Sequence, residues 1–407
     1  MALPFADLRV LSFCVGAVMP ELTKIMGEFG ADVIKVETEA NFDLMRRNAS
    51  IPPPVGDTFN SNAAFNEANR NKRSLTINLK SDEGRKLMYE LIKQSDVVAE
   101  NMRGGVMASL GVDYETVNAI NPRIVYVSSQ GFGASGPYKM YTTIGPTLST
   151  NIGQLYAWSY PDGRTPIGAA LAHPDHIAGK IGLTWVVAAL ELRRRTGKGQ
   201  FVDLSQSEAG ASLMGEQYLE YTMNGREPAR MGNRSYNAAP HGTYESSIDG
   251  RWCVLAVHDE EEWAGLCRAL GSPAWTADPR FATLSERQKF VEEIDAHIQE
   301  WTRQRTPEEA MHLLQQHGVP SGPVQTAPEL IEDPHLKARE TFIEIDHPVV
   351  GKRLYPNVNL LRLTGTPAGP SVRAPLAGEH TDVICRDLLG LSDEEIARLR
   401  EAKVIGY

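Results

Sequence analysis

The first 37 residues constrain the fold more than any other stretch, because they have the pattern of a strand, a helix and a second strand. Residues 9–13 form a short apolar run, and residues 20–29 place apolar side chains at helical spacing. Residues 32–36 form a second apolar run, which ends at Glu37. A unit this short predicts two parallel strands joined by a right-handed crossover.

The alternation of strands and helices continues through the first part of the chain. Apolar runs at 75–80, 96–100 and 124–128 predict further strands, and Ser81 is the predicted N-cap of a helix between the first two. Such alternation predicts an α/β fold built on a doubly wound parallel sheet.

The later part of the chain is more mixed and richer in loops, which predicts a smaller inserted α/β domain. Thr306, Pro307 and Glu309 have the pattern of a capping box that opens a helix. Further strands are predicted at 342–345 and 358–363. We expect a large α/β domain over 1–205, a linker and glycine loop over 206–240, a small domain over 241–330 and a C-terminal segment, 331–407, that returns to the large domain.

Composition argues against several classes of protein. A net charge of −10 leaves no basic surface for a nucleic acid. The four cysteines include no close pair, which argues against a disulfide framework and a thiolate zinc site. The apolar run at 177–192 is short for a membrane span and contains Lys180. Without a visible signal peptide, we expect a cytoplasmic protein with neither a membrane nor a nucleic acid as partner.

The run at 177–192 also predicts a helix, and its apolar residues lie on nearly every face, which is typical of a buried helix. Residues 193–195 are arginines and Gly197 follows, which indicates the C-terminal end. Asp175 lies at the entrance to this helix. An aspartate there caps the helix or, in a pocket with little water, serves as a nucleophile. The spacing does not choose between these roles, and one residue can have both.

His173 and His176 flank Asp175, a pattern that suggests a metal site. No further ligand cluster lies nearby in the sequence, and Pro174 disfavours the helix that would bring both imidazoles together. We therefore expect no metal ion.

Two glycine-containing turns follow predicted strands. The first, 14–19, lacks the G-x-G-x-x-G pattern that lets a pyrophosphate approach, so an NAD-dependent dehydrogenase is not expected. The second, 131–136, fits that pattern but leads into no helical periodicity. On composition alone, this second stretch is a tight, flexible loop.

Several motifs resemble those of class III CoA-transferases, the family of formyl-CoA transferase and of the carnitine and bile-acid CoA-transferases. They are residues 30–37, 71–74, 100–101, 131–137, 168–171, Asp175 with its helix, 196–200 and 378–381. The motifs occur in the family's order and cover nearly the whole chain. The chain most resembles members that handle dicarboxylic acids, such as succinyl-CoA:benzylsuccinate CoA-transferase.

The resemblance implies that Asp175 is a catalytic nucleophile that is acylated by a donor such as succinyl-CoA and then passes CoA to a second carboxylic acid. It implies no permanently bound cofactor, since CoA and acyl-CoA are substrates. It also implies an interlocked dimer of identical or related subunits. Positions carried over from the family place CoA near Gly16, Ala17, Asn78, Leu79, Lys80, Asn101, Met102 and Arg103.

Further roles follow from the same resemblance. Backbone amides near 131–136 and at Gly232 would stabilise the oxyanions that form during acyl transfer.

Six basic residues have the pattern of a solvated rim, and under the CoA hypothesis some would contact phosphates. They are Arg46, Arg47, Lys72, Arg73, Lys80 and Arg103.

The sequence departs from formyl-CoA transferase at Ala17, Thr38 and Ser109, where that enzyme has glutamine, arginine and arginine. Its phosphate contacts and its formate-sized pocket therefore do not carry over. Residues 141–146 lack the His-Asp pair of the related α-methylacyl-CoA racemases, and racemisation needs a base and an acid. Three rivals remain: an isomerase that moves CoA between two carboxylates of one molecule, a racemase-like enzyme, which the missing pair disfavours, and a non-catalytic subunit of an active partner.

Overall fold

The computed structural model describes residues 3–40, 42–47, 59–161, 163, 172–357, 362–369 and 371–406. By their internal contacts the residues form two compact units. The large unit combines Met1–Gln154, Gly168–Arg226 and Pro334–Tyr407, and the small unit combines Leu155–Ile167 and Glu227–Asp333. The two units are groups of residues in mutual contact and do not test the domain boundaries expected from the sequence, which stay predictions.

The large unit is organised by a six-stranded sheet with the strand order β3-β2-β1-β4-β5-β6. Its strands are β1 (Arg9–Phe13), β2 (Asp32–Glu37), β3 (Lys72–Thr76), β4 (Val97–Glu100), β5 (Val125–Ser128) and β6 (Gln200–Asp203). Every neighbouring pair is parallel. The strand order reverses between β1 and β4, so the predicted doubly wound α/β fold is confirmed.

Helices connect the strands and cover the sheet. In chain order they are α1 (Val18–Glu28), α2 (Leu44–Arg47), α3 (Ala63–Ala68), α4 (Asp82–Lys93), α5 (Val106–Ser109), α6 (Tyr114–Ile120), α7 (Gly145–Asn151), α8 (Gln154–Ala157), α9 (His173–Thr196), α10 (Gln206–Ala211), α11 (Gly215–Asn224), α12 (Glu260–Ala269), α13 (Leu284–Lys289), α14 (Val291–Thr302), α15 (Pro307–Gln316), α16 (Ala327–Glu332), α17 (Pro334–Ala338), α18 (Thr381–Leu389) and α19 (Asp393–Glu401).

Two hydrophobic cores lie on opposite faces of the sheet. Successive strand residues point to opposite faces, so Leu11 joins one core, which includes residues of α4 and α19, while Val10 joins the other. The second core contains Met19 of α1 and Ala178 of α9. Helix α9 therefore packs on the same sheet face as α1, which brings its first turn close to the carboxyl ends of β1 and β4.

The small unit has its own antiparallel sheet and core. The strands β7 (His241–Glu245), β8 (Trp252–Ala256) and β9 (Ser321–Pro323) lie in that order. Their inward side chains pack with α12, α14 and α15 around residues such as Leu266 and Ile298. Thr306 caps α15 in a full capping box with Glu309, as the sequence predicted.

Some element boundaries differ from the sequence predictions. The strand expected at 75–80 is β3, Lys72–Thr76, because its ladder with β2 begins at Lys72. The strand β10 (Phe342–Ile345) pairs with β11 (Arg353–Pro356) across the short turn. The sequence also predicts a strand at 358–363. Of that stretch, 358–361 lies outside the described residues.

The expectation that α9 is buried on all faces is wrong for the single chain. Its buried residues form one stripe of mostly small side chains, whereas Trp185 is 59% exposed and Leu192 is 46% exposed. The helix packs on the sheet, α1, α7 and α10, and large apolar side chains such as Trp185 stay exposed. In the described part of the chain, no helix combines the length and apolarity needed to span a bilayer.

Candidate active site

A cavity of about 830 Å³ opens at the carboxyl edge of the sheet, next to the point where the strand order reverses. Open α/β sheets bind ligands at this point because the loops that follow β1 and β4 diverge there. The cavity is lined by Gly16 and Ala17 after β1, by 101–104 after β4, and by 130–132 after β5. Asp175 and His176, from the first turn of α9, complete the lining.

Asp175 is the third residue of α9, not its cap. The helix begins at His173 with Ala172 as N-cap, and no side chain makes a capping hydrogen bond. Among the described residues, no group donates a hydrogen bond to the Asp175 carboxylate. The role of helix cap is therefore excluded, and the carboxylate is left facing the cavity.

The environment of Asp175 disfavours its charge. Burial raises the pKa of Asp175 to about 6, with an opposing effect from His176 and a smaller supporting one from Glu21. Gly145, at the start of α7, approaches so closely that a Cβ there would lie 2.6 Å from Oδ2 of Asp175. A poorly solvated carboxylate with free lone pairs has the properties of a nucleophile.

The histidines on either side of Asp175 share one helix, contrary to the expectation from Pro174. The proline is the second helical residue, a position that needs no backbone donor and tolerates the ring. The structure shows no cluster of three or more histidine, cysteine or acidic side chains suited to a metal ion within the described ranges.

Asn101 connects the loop after β4 to the turn after β1. Its side chain accepts a hydrogen bond from Val15 N at 2.8 Å and donates one to Val15 O at 2.8 Å. Gly16 follows with a φ of 74°, a conformation that favours glycine. The side chain of Asn101 thus holds the two loops together, and its hydrogen bonds are used within the protein.

A buried ion pair also holds the turn after β1 in place. Lys35 Nζ lies 2.8 Å from Asp43 Oδ2, and both side chains are fully buried. Lys35 also donates to Cys14 O, and Asp43 Oδ1 accepts from Gly16 N and Met45 N. Burial would raise the pKa of Asp43, but Lys35 and the two amides hold it below its usual value. The pair thus fixes two walls of the cavity.

The expectation of a basic solvated rim is wrong for Arg46 and Lys72. Arg46 is fully buried and makes a bidentate ion pair with Glu37. Lys72 is buried and donates to Pro20 O, Ala68 O and Asn69 Oδ1. Burial lowers the pKa of Lys72 well below its usual value. The polar groups of both side chains therefore bind partners inside the protein, which argues against either one as a phosphate contact.

A second cavity, of about 710 Å³, adjoins the first at Val15 and Met102. Asn78, Leu79 and Lys80 line it, as do Thr38 and Ser109. The predicted CoA-binding residues therefore divide between two cavities: Gly16, Ala17, Asn101 and Arg103 line the first, Asn78, Leu79 and Lys80 the second, and Met102 both.

The second cavity also has lining residues that the sequence did not indicate. Lys403 to Gly406 form part of its wall, because Asn78 N donates to Val404 O and Ile77 bridges to Ile405. No motif marks this C-terminal stretch, and only the fold brings it to β3.

The glycine loop after β5 lines the first cavity through Gly131, but some of its amides are already bonded. Ala134 N donates to Asp203 Oδ1, and Gly133 N donates to Gln130 O. In the small unit, Gly232 N donates to Ser159 O. Ala134, Gly133 and Gly232 would have to exchange these partners to bind an oxyanion. The family motif at 168–171 lies outside the described residues.

Glu21 of α1 is a lining residue that sequence reasoning missed. Its carboxylate accepts from His176 Nδ1 at 2.7 Å and from Lys180 Nζ at 3.0 Å. In the sequence, Glu21 is one acid of a helical stretch, and nothing local connects it with a helix 155 positions away.

Comparison with known proteins assigns the chain to one family. The model of CoA-transferase family III matches residues 5–381. Succinyl-CoA–D-citramalate CoA-transferase of Chloroflexus aurantiacus is 32% identical over 99% of this chain and 98% of its own length. A probable CoA-transferase of Mycobacterium tuberculosis is 32% identical over 99% of this chain, which spans about half (50%) of that relative's length.

A crystal structure supports the same assignment. A CaiB/BaiF family protein from Brucella suis is 31% identical, with a TM-score of 0.86, over 95% of this chain and 100% of that chain. Sequence and structure therefore agree on the likeness.

Proposed function

Because the chain belongs to CoA-transferase family III, we propose that it transfers CoA from an acyl-CoA donor to a carboxylic acid, with Asp175 as the nucleophile. The donor we propose is a dicarboxylic acyl-CoA such as succinyl-CoA. The observation that carries this proposal is the Asp175 carboxylate, which faces a cavity, is largely buried and accepts no hydrogen bond from the described residues.

The proposed reaction begins when Asp175 attacks the thioester carbonyl of the donor. The C–S bond breaks, which gives an aspartyl anhydride and a CoA thiolate. The thiolate then attacks the aspartyl carbonyl, releases the donor acid and leaves an aspartyl-CoA thioester. The acceptor carboxylate repeats these two steps in reverse, so that acyl-CoA is formed and the Asp175 carboxylate is regenerated.

The local environment of Asp175 suits its attack on the thioester. A carboxylate that is removed from water has lost hydration that would otherwise have to be stripped during attack. The close approach of Gly145 leaves Asp175 little room to turn away from the cavity. Holding the carboxylate against the bound thioester would convert a bimolecular step into an effectively unimolecular one.

We propose that CoA extends over both cavities, which meet at Met102. The thioester would lie in the cavity that contains Asp175, and the nucleotide portion would lie towards Asn78 to Lys80. Arg103 and Lys80 are the basic lining residues from the predicted set, so they are the proposed phosphate contacts.

An Asp175→Ala variant tests the proposal. We expect CoA transfer to be lost while CoA binding and folding are kept. Incubation of the wild-type chain with succinyl-CoA should give a CoA adduct on the peptide that contains Asp175, measured by mass spectrometry. Asp387→Asn, which alters an exposed acid of α18, is the matched control and should behave as wild type. Full activity of Asp175→Ala would refute the proposal.

An isomerase that moves CoA within one dicarboxylate would use the same aspartate. Assay with a single dicarboxyl-CoA and no added acceptor separates the two activities. A purified chain that transfers CoA without a second polypeptide would likewise exclude a purely non-catalytic role. We propose that the chain acts as a dimer, of identical or of related subunits.

A further inference from the structure

Two basic side chains of α9 contact one carboxylate of α1. His176 and Lys180 are separated by one turn of α9, and both contact Glu21. Burial would raise the pKa of Glu21, but hydrogen bonds and charges from His176 and Lys180 outweigh it and lower that pKa. Glu21 is therefore a carboxylate, so the imidazole donates its Nδ1–H to it.

Beside this polar contact, α1 and α9 approach each other closely at two glycines of α9. A Cβ at Gly179 would lie 2.6 Å from Val18 O, and a Cβ at Gly182 would lie 3.0 Å from Leu22 Cδ1. Glycines at these places let the helices approach closely but present a smooth surface. Helix position is normally set by side chains that interlock, and these glycines supply none.

We propose that Glu21 is a positioning residue for the nucleophile: by holding His176 and Lys180, it fixes the first two turns of α9 against α1 and aims Asp175 into the cavity. This inference rests on the proposed role of Asp175. It adds a specific function for an acid that contacts the nucleophile only through its neighbour in the chain.

Glu21→Gln tests the inference, because the amide keeps the shape of the side chain and loses the negative charge that holds His176 and Lys180. A misplacement of the nucleophile by a fraction of an ångström is expected to lower kcat roughly 10- to 100-fold. The KM for the acyl-CoA should stay within about twofold, since the groups that bind CoA are unchanged. The rate at which the CoA adduct forms on Asp175 should fall in parallel with kcat.

Glu191→Gln is the matched control. Glu191 also binds two cations, Arg194 and Arg195, but all three belong to α9 itself and lie far along the helix from Asp175. Its loss should leave kcat unchanged.

A second variant keeps the test valid if Glu21→Gln does not fold. His176→Gln breaks the same contact from the other helix and should show the same selective loss of kcat. The double variant should lose no more than the worse single variant, because both remove one interaction. Wild-type kcat in Glu21→Gln, or independent losses that multiply in the double variant, would overturn the inference. Either outcome would leave the proposed function intact as long as Asp175→Ala is inactive.

Discussion

At the scale of single residues, the acidic side chains of the large unit differ in whether a cation lies next to the carboxylate. Glu37 and Asp43 each have a cation at hydrogen-bonding distance. Among the described residues Asp175 has no such cation, so desolvation outweighs the opposing effect of His176 and raises the pKa of Asp175 to about 6. The carboxylates of Glu37 and Asp43 are used in ion pairs inside the protein, whereas that of Asp175 has the environment expected of the nucleophile that we propose.

The raised pKa of Asp175 predicts how the rate depends on pH. The ionised carboxylate is the attacking form, so the rate should fall as the pH decreases through about 6, by roughly tenfold for each further unit. Steady-state kcat/KM, measured from acid to neutral pH with a donor whose own carboxyl groups stay ionised, gives the profile. A rate that stays constant to about one unit below this pKa would contradict the assignment.

At the scale of elements, the turn after β1 depends on charges buried beneath it. A lysine in the middle of a central strand is costly to bury unless its charge is paired. Lys35 meets this condition through Asp43, and the pair in turn binds Cys14 O and Gly16 N. The same interaction therefore stabilises the strand and shapes the cavity.

Lys35→Met should lower the free energy of unfolding by about 3–5 kcal/mol, because it leaves the Asp43 carboxylate buried without its cation. It should also raise the KM for acyl-CoA, since Gly16 lines the cavity. Urea denaturation and steady-state kinetics measure the two effects.

Lys93→Met is the control for this prediction. Lys93 is paired with Glu90 at a comparable distance, 2.6 Å, but both side chains are more than half exposed. Its loss should change the free energy of unfolding by less than about 1 kcal/mol. Equal effects of the two substitutions would show that burial of the Lys35–Asp43 pair is not what matters.

At the scale of the whole molecule, apolar surface remains uncovered on two helices of the large unit. Trp185 and Leu192 of α9 are exposed, and α11 has no buried residue although it carries Tyr221 and Met223. Large exposed apolar surfaces mark sites of association. They agree with the proposed dimer, in which a second subunit would cover them.

Trp185→Glu should weaken association, because it places a charge on the exposed apolar face of α9. Sedimentation or light scattering should detect a shift from dimer towards monomer at micromolar concentration. Glu394→Lys, a charge reversal on the polar surface of α19, should leave the assembly unchanged. A dimer of undiminished stability in Trp185→Glu would show that this face lies outside the interface.

The sequence by itself determined the elements and the sheet type. Periods of two and about 3.6 residues, and the caps Ser81, Thr306 and Ser392, depend on neighbours within a few positions, so they are visible without a structure. Alternation of the elements then determined parallel pairing and the doubly wound order. The family motifs added Asp175, although the sequence could not separate a cap from a nucleophile.

Only the tertiary structure decided how distant polar groups pair. Asp43 binds Gly16 N across 27 positions, and Glu21 binds His176 across 155. Likewise, the 403–406 stretch reaches Asn78 because β3 lies at the edge of the sheet. Local patterns contain no information about such pairs, since strand order and helix packing bring them together. The same packing leaves the Asp175 carboxylate without a hydrogen-bond donor among the described residues, which is why its proposed role as nucleophile could be argued only from the folded chain.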